Sequence, residues 1–354
     1  SGVWIMAYTT IDKPEDYFNT VLYTGDGSAD QSMTGVGFKP DFLWIKRRNA
    51  AERHVLTNAQ YDVSDGAYKW QDSSATNAQF SGGTGVASFD ADGFTIKSSD
   101  TTWNASGSTY VFWSWKMNGG TTSTNTDGDI NSTVQANQTA GQSIISYTAT
   151  NTTSRNIGHG LGVTPAMIII RNKTRVENWR VWHQSIGQGG ATLDGTAAYN
   201  ANTTNLINTV NSTIFNVGTD FSVNGNYPYI AYCFAEKQGY SKFGSYFGNG
   251  VAEGPFVYTG FKPAFLLVKK SSDTGNWLLY DNKGEPGNLI GDLFYANLSN
   301  AESGQTTNGY DFLSNGFKVR NVYGDGNVNG QTFIYMAFAE NPFVTSTGVP
   351  TTAR

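Results

Sequence analysis

A ten-residue phrase with a glycine at its start and a proline at its fourth position occurs three times in the chain. Gly37–Lys46 reads GFKPDFLWIK, and Gly260–Lys269 reads GFKPAFLLVK. A looser copy, Gly162–Arg171, reads GVTPAMIIIR. Internal repetition decides how the rest of a sequence is divided, so it has to be recognised first. The phrase indicates that one domain-sized unit is used three times.

Two further landmarks accompany the phrase in the same order in each copy. The first is a tyrosine 17 or 18 residues before the phrase proline, namely Tyr23, Tyr147 and Tyr246. The second is an aromatic run near the end of the copy, at Tyr110–Trp115, Tyr229–Phe234 and Phe333–Phe338. Chance similarity of short apolar runs would not preserve both order and spacing. The sequence therefore predicts repeat 1 at 17–120, repeat 2 at 143–238 and repeat 3 at 239–340.

The segments outside the repeats have their own character. Residues 1–16 are predicted to form an N-terminal arm, and residues 121–142, which are polar and lack aromatics, are predicted to be a linker. Residues 341–354 form a C-terminal tail rich in threonine, for which an extended docking arm and disorder are both open.

Strand patterns dominate the repeats, and helical periodicity is hard to find. Ile168–Ile170 is β-branched throughout, and Gly-Asx pairs such as Asp26-Gly27 mark turns between short apolar runs. Short strands at regular intervals with turn signals are typical of β-sandwiches and jelly rolls. The predicted fold class is all-β, with three tandem β-sandwich domains of jelly-roll type.

Composition argues against two classes of partner. Charged residues make up 14% of the chain, against roughly 25% in ordinary soluble domains, and the net charge is −5. A nucleic-acid-binding protein would carry a basic patch, which this sequence lacks. No apolar run approaches the roughly 18 residues of a membrane span, so membrane insertion is not expected.

Catalytic motifs are missing from the sequence. The three histidines, His54, His159 and His183, have no zinc-site spacing, and no Gly-x-Ser-x-Gly elbow occurs. Paired carboxylates could hydrolyse a glycosidic bond, but a candidate such as Asp281 corresponds to His183 or Gln184 in repeat 2. The sequence therefore predicts a protein that is not an enzyme and that needs no cofactor, with calcium as an option.

The calcium option rests on oxygen-bearing side chains beside glycine turns. Asp90 and Asp92 flank one turn, and Asp325 and Asn327 flank another. Carboxylate and amide oxygens are ligands that Ca²⁺ prefers, although turn chemistry alone explains both pairs.

Three aromatic residues near turns are candidates for ligand binding. Trp70, Trp103 and Tyr323 have polar or glycine neighbours, so their rings could stack on a sugar while polar groups bind its hydroxyls. Packing at a strand edge is the alternative for each of them.

The repeated segments resemble a family of bacteriophage virion proteins commonly described as tail fibre or related structural proteins. The resemblance lies in Ala7–Asp12, Tyr17–Gly27, Gly37–Lys46, Gly158–Arg171, Gly239–Tyr246, Phe312–Arg320 and Phe338–Arg354. It implies a virion component, assembled in the host cytoplasm, with lectin-like β-sandwich modules that contact other virion proteins and host-surface glycans. It implies no catalytic residues.

Three functions remain open at this point. The first is an adhesive fibre, spike or appendage, the second a capsid decoration or architectural protein without a receptor role, and the third a polysaccharide-degrading enzyme. Virion parts are usually symmetric homo-oligomers, and a trimer is the form expected for a fibre.

Overall fold

The computed structural model describes residues 7–150 and 153–351, and regular structure within these ranges is almost entirely β. Antiparallel sheets account for nearly all of it, and the helical part of these ranges comprises α1 (Phe221–Asn224) and a 3-10 turn at Pro14–Asp16. The predicted all-β class is therefore confirmed. In the described ranges no helix has the length and apolar character needed to cross a membrane.

Repeat 1 forms a larger and a smaller sheet. Its strands are β1 (Phe18–Thr24), β2 (Asp30–Met33), β3 (Phe42–Arg47), β4 (Val55–Asn58), β5 (Tyr68–Asp72), β6 (Phe80–Gly82), β7 (Gly85–Asp90), β8 (Gly93–Lys97) and β9 (Thr109–Trp115). The larger sheet has the order β1-β9-β3-β4-β5-β6, and the smaller has the order β2-β8-β7.

Repeat 2 and the segment before it form one sheet of eleven strands. The strands are β10 (Ser123–Asn125), β11 (Ser132–Asn137), β12 (Gln142–Thr148), β13 (Arg155–Gly158), β14 (Met167–Asn172), β15 (Arg180–His183), β16 (Gly189–Thr192), β17 (Asn200–Ala201), β18 (Ile207–Val210), β19 (Ile214–Val217) and β20 (Pro228–Phe234). Their order is β10-β11-β12-β20-β14-β15-β16-β18-β19-β13, with β17 beside β16. The strands from β10 to β16 in this order correspond to the larger sheet of repeat 1, and β18, β19 and β13 correspond to its smaller sheet. One residue pair, Gly189 with Ile207, joins these two parts.

Repeat 3 again separates into two sheets. Its strands are β21 (Ser241–Phe247), β22 (Phe256–Tyr258), β23 (Phe261–Lys270), β24 (Trp277–Asp281), β25 (Phe294–Tyr295), β26 (Tyr310–Leu313), β27 (Gly316–Val319) and β28 (Thr332–Pro342). The orders are β21-β28-β23-β24-β25 and β22-β27-β26.

The three repeats share one topology. In each, the phrase strand (β3, β14 or β23) lies between the closing strand (β9, β20 or β28) and the strand that follows the phrase (β4, β15 or β24). The opening strand (β1, β12 or β21) pairs with the far side of the closing strand. That the three repeats are three separate domains stays a prediction, because they share a common core.

The phrase glycine recurs because of its backbone conformation. Gly37, Gly162 and Gly260 have φ angles of 86°, 71° and 83°. Side chains with a Cβ rarely adopt this left-handed region, whereas glycine does so without strain. The glycine therefore turns the chain into the phrase strand.

Each larger sheet is covered on both of its faces. One face packs against the smaller sheet of the same repeat and forms a local core. The other face packs against the other two repeats in one shared core. On β14, Ile168 and Ile170 lie in the local core, while Met167 and Ile169 lie in the shared core. Burial on both faces explains why the phrases are nearly continuous apolar runs.

Three aromatic rings, one from each closing strand, meet in the shared core. Trp115, Phe234 and Phe338 lie opposite the residue two places after the phrase proline in their own repeats. Their ring centroids are 5.7 Å (Trp115 to Phe338), 5.9 Å (Phe234 to Phe338) and 6.2 Å (Trp115 to Phe234) apart. The three larger sheets are therefore arranged cyclically around this aromatic trio.

The basic residue that ends each phrase is buried and reaches a backbone carbonyl of another repeat. The contacts are Lys46 Nζ to Ser299 O at 3.3 Å, Arg171 Nη2 to Asn77 O, and Lys269 Nζ to Thr196 O at 3.0 Å. Repeat 1 thus reaches repeat 3, repeat 2 reaches repeat 1, and repeat 3 reaches repeat 2, which closes the cycle. Burial lowers the pKa of Lys46 and of Lys269 to about 8.

The segment 121–142 differs from the predicted linker. It contains β10 and β11, which extend the sheet of repeat 2 beyond β12. In β11 the side chain of Val134 enters the local core while Thr133 is exposed, the alternation expected when one face of a strand is solvated. A polar sequence can therefore form these outer strands.

The described residues close to the two termini contact each other, and residues 1–6 and 352–354 lie outside the described ranges. Ser346 N donates to Asp12 Oδ1 at 2.6 Å, and Tyr8 OH donates to Gly260 O at 2.8 Å. Strand β28 continues to Pro342, past the predicted boundary at 340. Residues 343–351 fold back on themselves, since Thr345 N donates to Val349 O at 2.9 Å and Thr351 N donates to Phe343 O at 3.0 Å.

Candidate functional site

A small cleft with three tyrosines lies in repeat 3, and we call it the tyrosine cleft. It is lined by Tyr280, Leu293, Tyr295, Gln305, Asn308 and Tyr323. Its volume is about 40 Å³, far below the roughly 300–1,000 Å³ typical of pockets for drug-sized ligands. The cleft therefore admits only an edge or a single polar group of a ligand.

Two tyrosines of the cleft, Tyr280 and Tyr323, have neutral hydroxyl groups. Tyr295 and Tyr323 join their hydroxyl groups at 2.9 Å, and Tyr323 is 39% exposed. Tyr280 is only 3% exposed, and its hydroxyl makes no hydrogen bond to any residue that the structure describes. Burial raises the pKa of Tyr280 and of Tyr323, so both phenols keep their protons. The hydroxyl of Tyr280 is not among the fully enclosed unpaired atoms of the described residues, so it opens on the cleft and is available to a polar ligand group.

Two side-chain amides complete the polar part of the cleft. Gln305 Nε2 donates to Ser303 Oγ at 2.9 Å, and Asn308 Oδ1 accepts from Val322 N at 3.2 Å. Each amide has more donor and acceptor capacity than these bonds use. Both amides are thus held in place with groups left over for a ligand.

The loop between β27 and β28 carries Tyr323 and is anchored at the two residues that follow it. Lys270 Nζ donates to Gly324 O at 3.1 Å, and Asn276 Nδ2 donates to Asp325 Oδ2 at 2.8 Å. These bonds fix the backbone on which the exposed tyrosine stands, so the cleft is formed before a ligand arrives.

The two tryptophans predicted as sugar platforms lie in the local core of repeat 1. Trp70 stacks on Phe80 with centroids 4.0 Å apart, and Trp103 meets Trp70 edge-on at 5.6 Å. Trp103 is fully buried and Trp70 is 7% exposed. The structure corrects the prediction for these two residues, because an enclosed ring cannot stack on a sugar. Tyr323, the third candidate, lies in the tyrosine cleft.

The first pair of predicted calcium ligands makes hydrogen bonds within the protein. Asp92 accepts from Gly35 N at 3.1 Å and from Gly37 N at 2.6 Å, and Asp90 accepts from Thr95 Oγ1 at 2.9 Å. The bonds to Gly35 and Gly37 lower the pKa of Asp92. This carboxylate stabilises the turn that leads into the first phrase.

The second pair also serves the backbone. Asn327 is fully buried, accepts from Asn249 N at 2.9 Å, and donates to Val251 O and Asn321 O. The partner of Asp325 is Asn276, as described above. Among residues 7–150 and 153–351 no group of three or more histidine, cysteine, aspartate or glutamate residues could hold a metal. The geometry therefore gives calcium no support beyond the sequence pattern.

The three histidines are buried and make hydrogen-bond contacts within the protein. His54 Nδ1 accepts from Trp44 Nε1 at 2.9 Å, and His183 Nε2 lies 3.1 Å from Tyr335 O of the next repeat. Burial lowers the pKa of all three histidines, and that of His183 falls to about 4. Asp281 occupies in repeat 3 the strand position that His183 occupies in repeat 2. Its carboxylate accepts from Trp113 Nε1 at 3.1 Å, and this bond joins repeat 3 to repeat 1. His183 and Asp281 therefore form contacts between repeats, whereas the bond between His54 and Trp44 lies within repeat 1.

Sequence reasoning identified Tyr323 but missed Tyr280, Tyr295 and the two amides. A tyrosine inside a strand is usually part of a core, and Tyr246 is an example, since its hydroxyl donates to Gly326 O at 2.7 Å. Only the structure distinguishes Tyr246 from Tyr280, whose hydroxyl opens on the cleft.

No curated protein and no solved structure matches the chain. A family model described as a domain of unknown function (DUF7483) matches residues 13–342. The match begins before β1 and ends with β28, so a single model spans all three repeats and the strands between them. The chain therefore belongs to the DUF7483 family of domains of unknown function.

Proposed function

We propose that the chain is a structural protein of a bacteriophage particle, part of a tail fibre, spike or other appendage, and that it binds host-surface glycans through the tyrosine cleft. The virion assignment rests on the resemblance of the repeated segments to phage virion proteins. The binding assignment is carried by one observation, the unpaired hydroxyl of Tyr280 beneath an aromatic and amide-lined opening.

The chemistry of the cleft fits a sugar ring. Sugars present apolar C–H faces and polar hydroxyl edges, so they need an aromatic surface together with donors and acceptors. Tyr295 and Tyr323 supply the aromatic surface, Tyr280 supplies a hydroxyl, and Gln305 and Asn308 supply amides. The small volume admits only one edge of a sugar ring, so most of the glycan would lie in solvent.

A second candidate is a capsid decoration or architectural protein without a receptor role. The shared core favours it, because three repeats wrapped around Trp115, Phe234 and Phe338 form a compact block in place of an extended string of domains. The expected homo-oligomer, a trimer in the case of a fibre, remains a proposal for either candidate.

A glycan array with the purified chain tests the binding proposal. The wild type should bind a defined set of glycans, and the double variant Tyr295→Ala/Tyr323→Ala should bind about tenfold more weakly or worse, since stacking and a hydrogen bond are lost. Phe221→Ala, which removes a 46% exposed aromatic of repeat 2, is the matched control and should bind like the wild type.

Three other results would redirect the assignment. Absence of glycan binding together with uniform labelling of the capsid by an antibody to the chain supports the decoration protein. Equal binding by the wild type and the double variant removes the tyrosine cleft from the proposal. Release of reducing ends from host envelope sugars would instead identify a polysaccharide-degrading enzyme.

A further inference from the structure

Two of the three junctions between repeats are closed by a glutamine side chain. At each, the turn after β4 or β15 lies against the opening strand of the next repeat. Gln60 Nε2 donates to Ile144 O of β12 at 2.9 Å, and Gln184 Nε2 donates to Phe243 O of β21 at 2.7 Å. A primary carboxamide therefore satisfies the same strand position at both junctions.

The third junction, where the turn after β24 meets β1, lacks this contact. Thr20 is the equivalent of Ile144 and Phe243 in the other two repeats. Each of the three residues pairs with the residue two places before the aromatic-trio residue of its closing strand. Within the part of the chain that the structure describes, no side chain donates to the carbonyl of Thr20. Asn282 occupies the place of Gln184 but is one methylene shorter.

The bonds of Gln184 and Asn282 identify the group that is missing. Gln184 Nε2 donates both to Phe243 O and to Glu236 Oε1, at 2.8 Å for the latter. Asn282 Nδ2 donates to Glu340 Oε2 at 2.7 Å, and Glu340 has the position of Glu236 on its closing strand. Asn282 thus keeps the contact to the glutamate of the closing strand, but it does not make the contact to the opening strand.

A cleft of about 350 Å³ lies at this junction, and we call it the junction cleft. Thr20 and Asn282 both line it and are both 3% exposed. Thr20 Oγ1 and Asn282 Oδ1 are buried and have no hydrogen-bond partner among the described residues. Buried polar atoms are nearly always paired, so two unpaired atoms on one cleft indicate a ligand that carries hydrogen-bonding groups.

We propose that the junction cleft binds a primary carboxamide from a glutamine or asparagine side chain of a partner protein. Its NH₂ group donates to the carbonyl of Thr20 and to Glu340, as Gln184 does at its own junction, and its oxygen accepts from Thr20 Oγ1. Asn282 Oδ1 then accepts a backbone N–H of the same partner segment.

Other groups fit the acceptors less well. The secondary amide of an acetylated sugar has one N–H for two acceptors, and an ammonium group has donors but no acceptor for the Thr20 hydroxyl. The proposal is independent of the tyrosine cleft and of glycan binding.

An NMR titration of the ¹⁵N-labelled full chain tests it. The probe is the peptide N-acetyl-Ala-Gln-Ala-N-methylamide, whose only primary carboxamide is the glutamine side chain, and peptides with glutamate or lysine at the centre are compared. The glutamine peptide should shift the backbone amide of Thr20 saturably, with about tenfold weaker binding of the other two because hydrogen bonds are lost.

Two variants make the test decisive. Asn282→Gln supplies the carboxamide from within, so peptide binding should fall about tenfold or more while the melting temperature is kept or raised. Gln184→Asn should open an equivalent cleft, with new peptide-dependent shifts at Phe243. The proposal is overturned if the glutamine peptide leaves Thr20 unshifted, if all three peptides bind alike, or if folded Asn282→Gln binds like the wild type.

Discussion

Trp115 and Phe338 lie edge to face with ring centroids 5.7 Å apart, and they come from the first and the last repeat of the chain. Both side chains are fully buried in the shared core, and Phe234 of the middle repeat completes the trio. No single repeat can form this contact. The stability of each larger sheet therefore depends on the other two.

Truncating the centre of this core should destabilise the whole chain at once. Trp115→Ala removes a ring that contacts Phe42, Phe234, Phe265 and Phe338, so the free energy of unfolding should fall by about 3–5 kcal/mol. Guanidinium chloride denaturation followed by circular dichroism and by fluorescence should give coincident transitions.

The control for this variant is an exposed aromatic. Phe247 is 70% exposed, and Phe247→Ala should change the free energy of unfolding by no more than about 0.5 kcal/mol. Separate transitions for the two probes, with only one of them moved by Trp115→Ala, would contradict a core shared by all repeats.

Repeat 1 expressed alone, as residues 17–120, should not form a native monomer. Its larger sheet would expose the face that carries Trp44, Trp113 and Trp115, and a contiguous apolar face of this kind promotes association. We expect binding of the dye ANS and concentration-dependent aggregation, measured by fluorescence and by analytical ultracentrifugation. A monomer that unfolds cooperatively and does not bind ANS would mean that the repeats are independent domains after all.

Much of the local structure could be predicted from the sequence. The phrase strands, the opening tyrosines and the closing aromatic runs form the same strands in every repeat, because their patterns are local. Continuous apolar runs such as Ile168–Ile170 indicate burial on both faces, but they do not say what covers the second face. The cyclic arrangement therefore could not be predicted.

The candidate sites were harder to predict for a related reason. Trp70 and Tyr323 both stand near turns in polar surroundings, and only the path of the neighbouring strands buries one and exposes the other. The role of Asn282 appears only when the register of repeat 2 is placed beside that of repeat 3. Such relationships between distant residues leave no mark in a local pattern.

The opening tyrosines make a repeated hydrogen bond whose loss should have a similar cost in each repeat. The bonds are Tyr23 OH to Trp103 O at 2.7 Å, Tyr147 OH to Val223 O at 2.8 Å, and Tyr246 OH to Gly326 O at 2.7 Å. Replacement of each tyrosine by phenylalanine should lower the free energy of unfolding by about 1 kcal/mol in urea denaturation.

The control is Tyr258→Phe, because Tyr258 is 52% exposed and water can replace its bond to Tyr8. A cost confined to one of the three repeats would argue that the bond is not equivalent among them. Tyr246 also meets Tyr310 OH at 3.0 Å, so its variant should be the most affected.

The buried lysines that end two of the phrases should make stability depend on pH in the alkaline range. Burial lowers the pKa of Lys46 and of Lys269 from 10.5 to about 8 in the folded chain. Between about pH 8 and 10.5 the unfolded chain therefore binds more protons than the folded one, so these lysines make stability rise with pH there. Below pH 8 both states are protonated, and their contribution is constant.

The double variant Lys46→Met/Lys269→Met isolates this contribution. From pH 8 to 9.5 the free energy of unfolding of the wild type should gain on that of the variant by about 3 kcal/mol, because each of the two lysines contributes up to about 1.4 kcal/mol per pH unit in this range. Buried tyrosines, whose raised pKa values lower stability above about pH 10, are the same in both proteins and cancel. Urea denaturation at matched ionic strength measures the difference, and parallel curves for the two proteins would show that neither lysine titrates in this window.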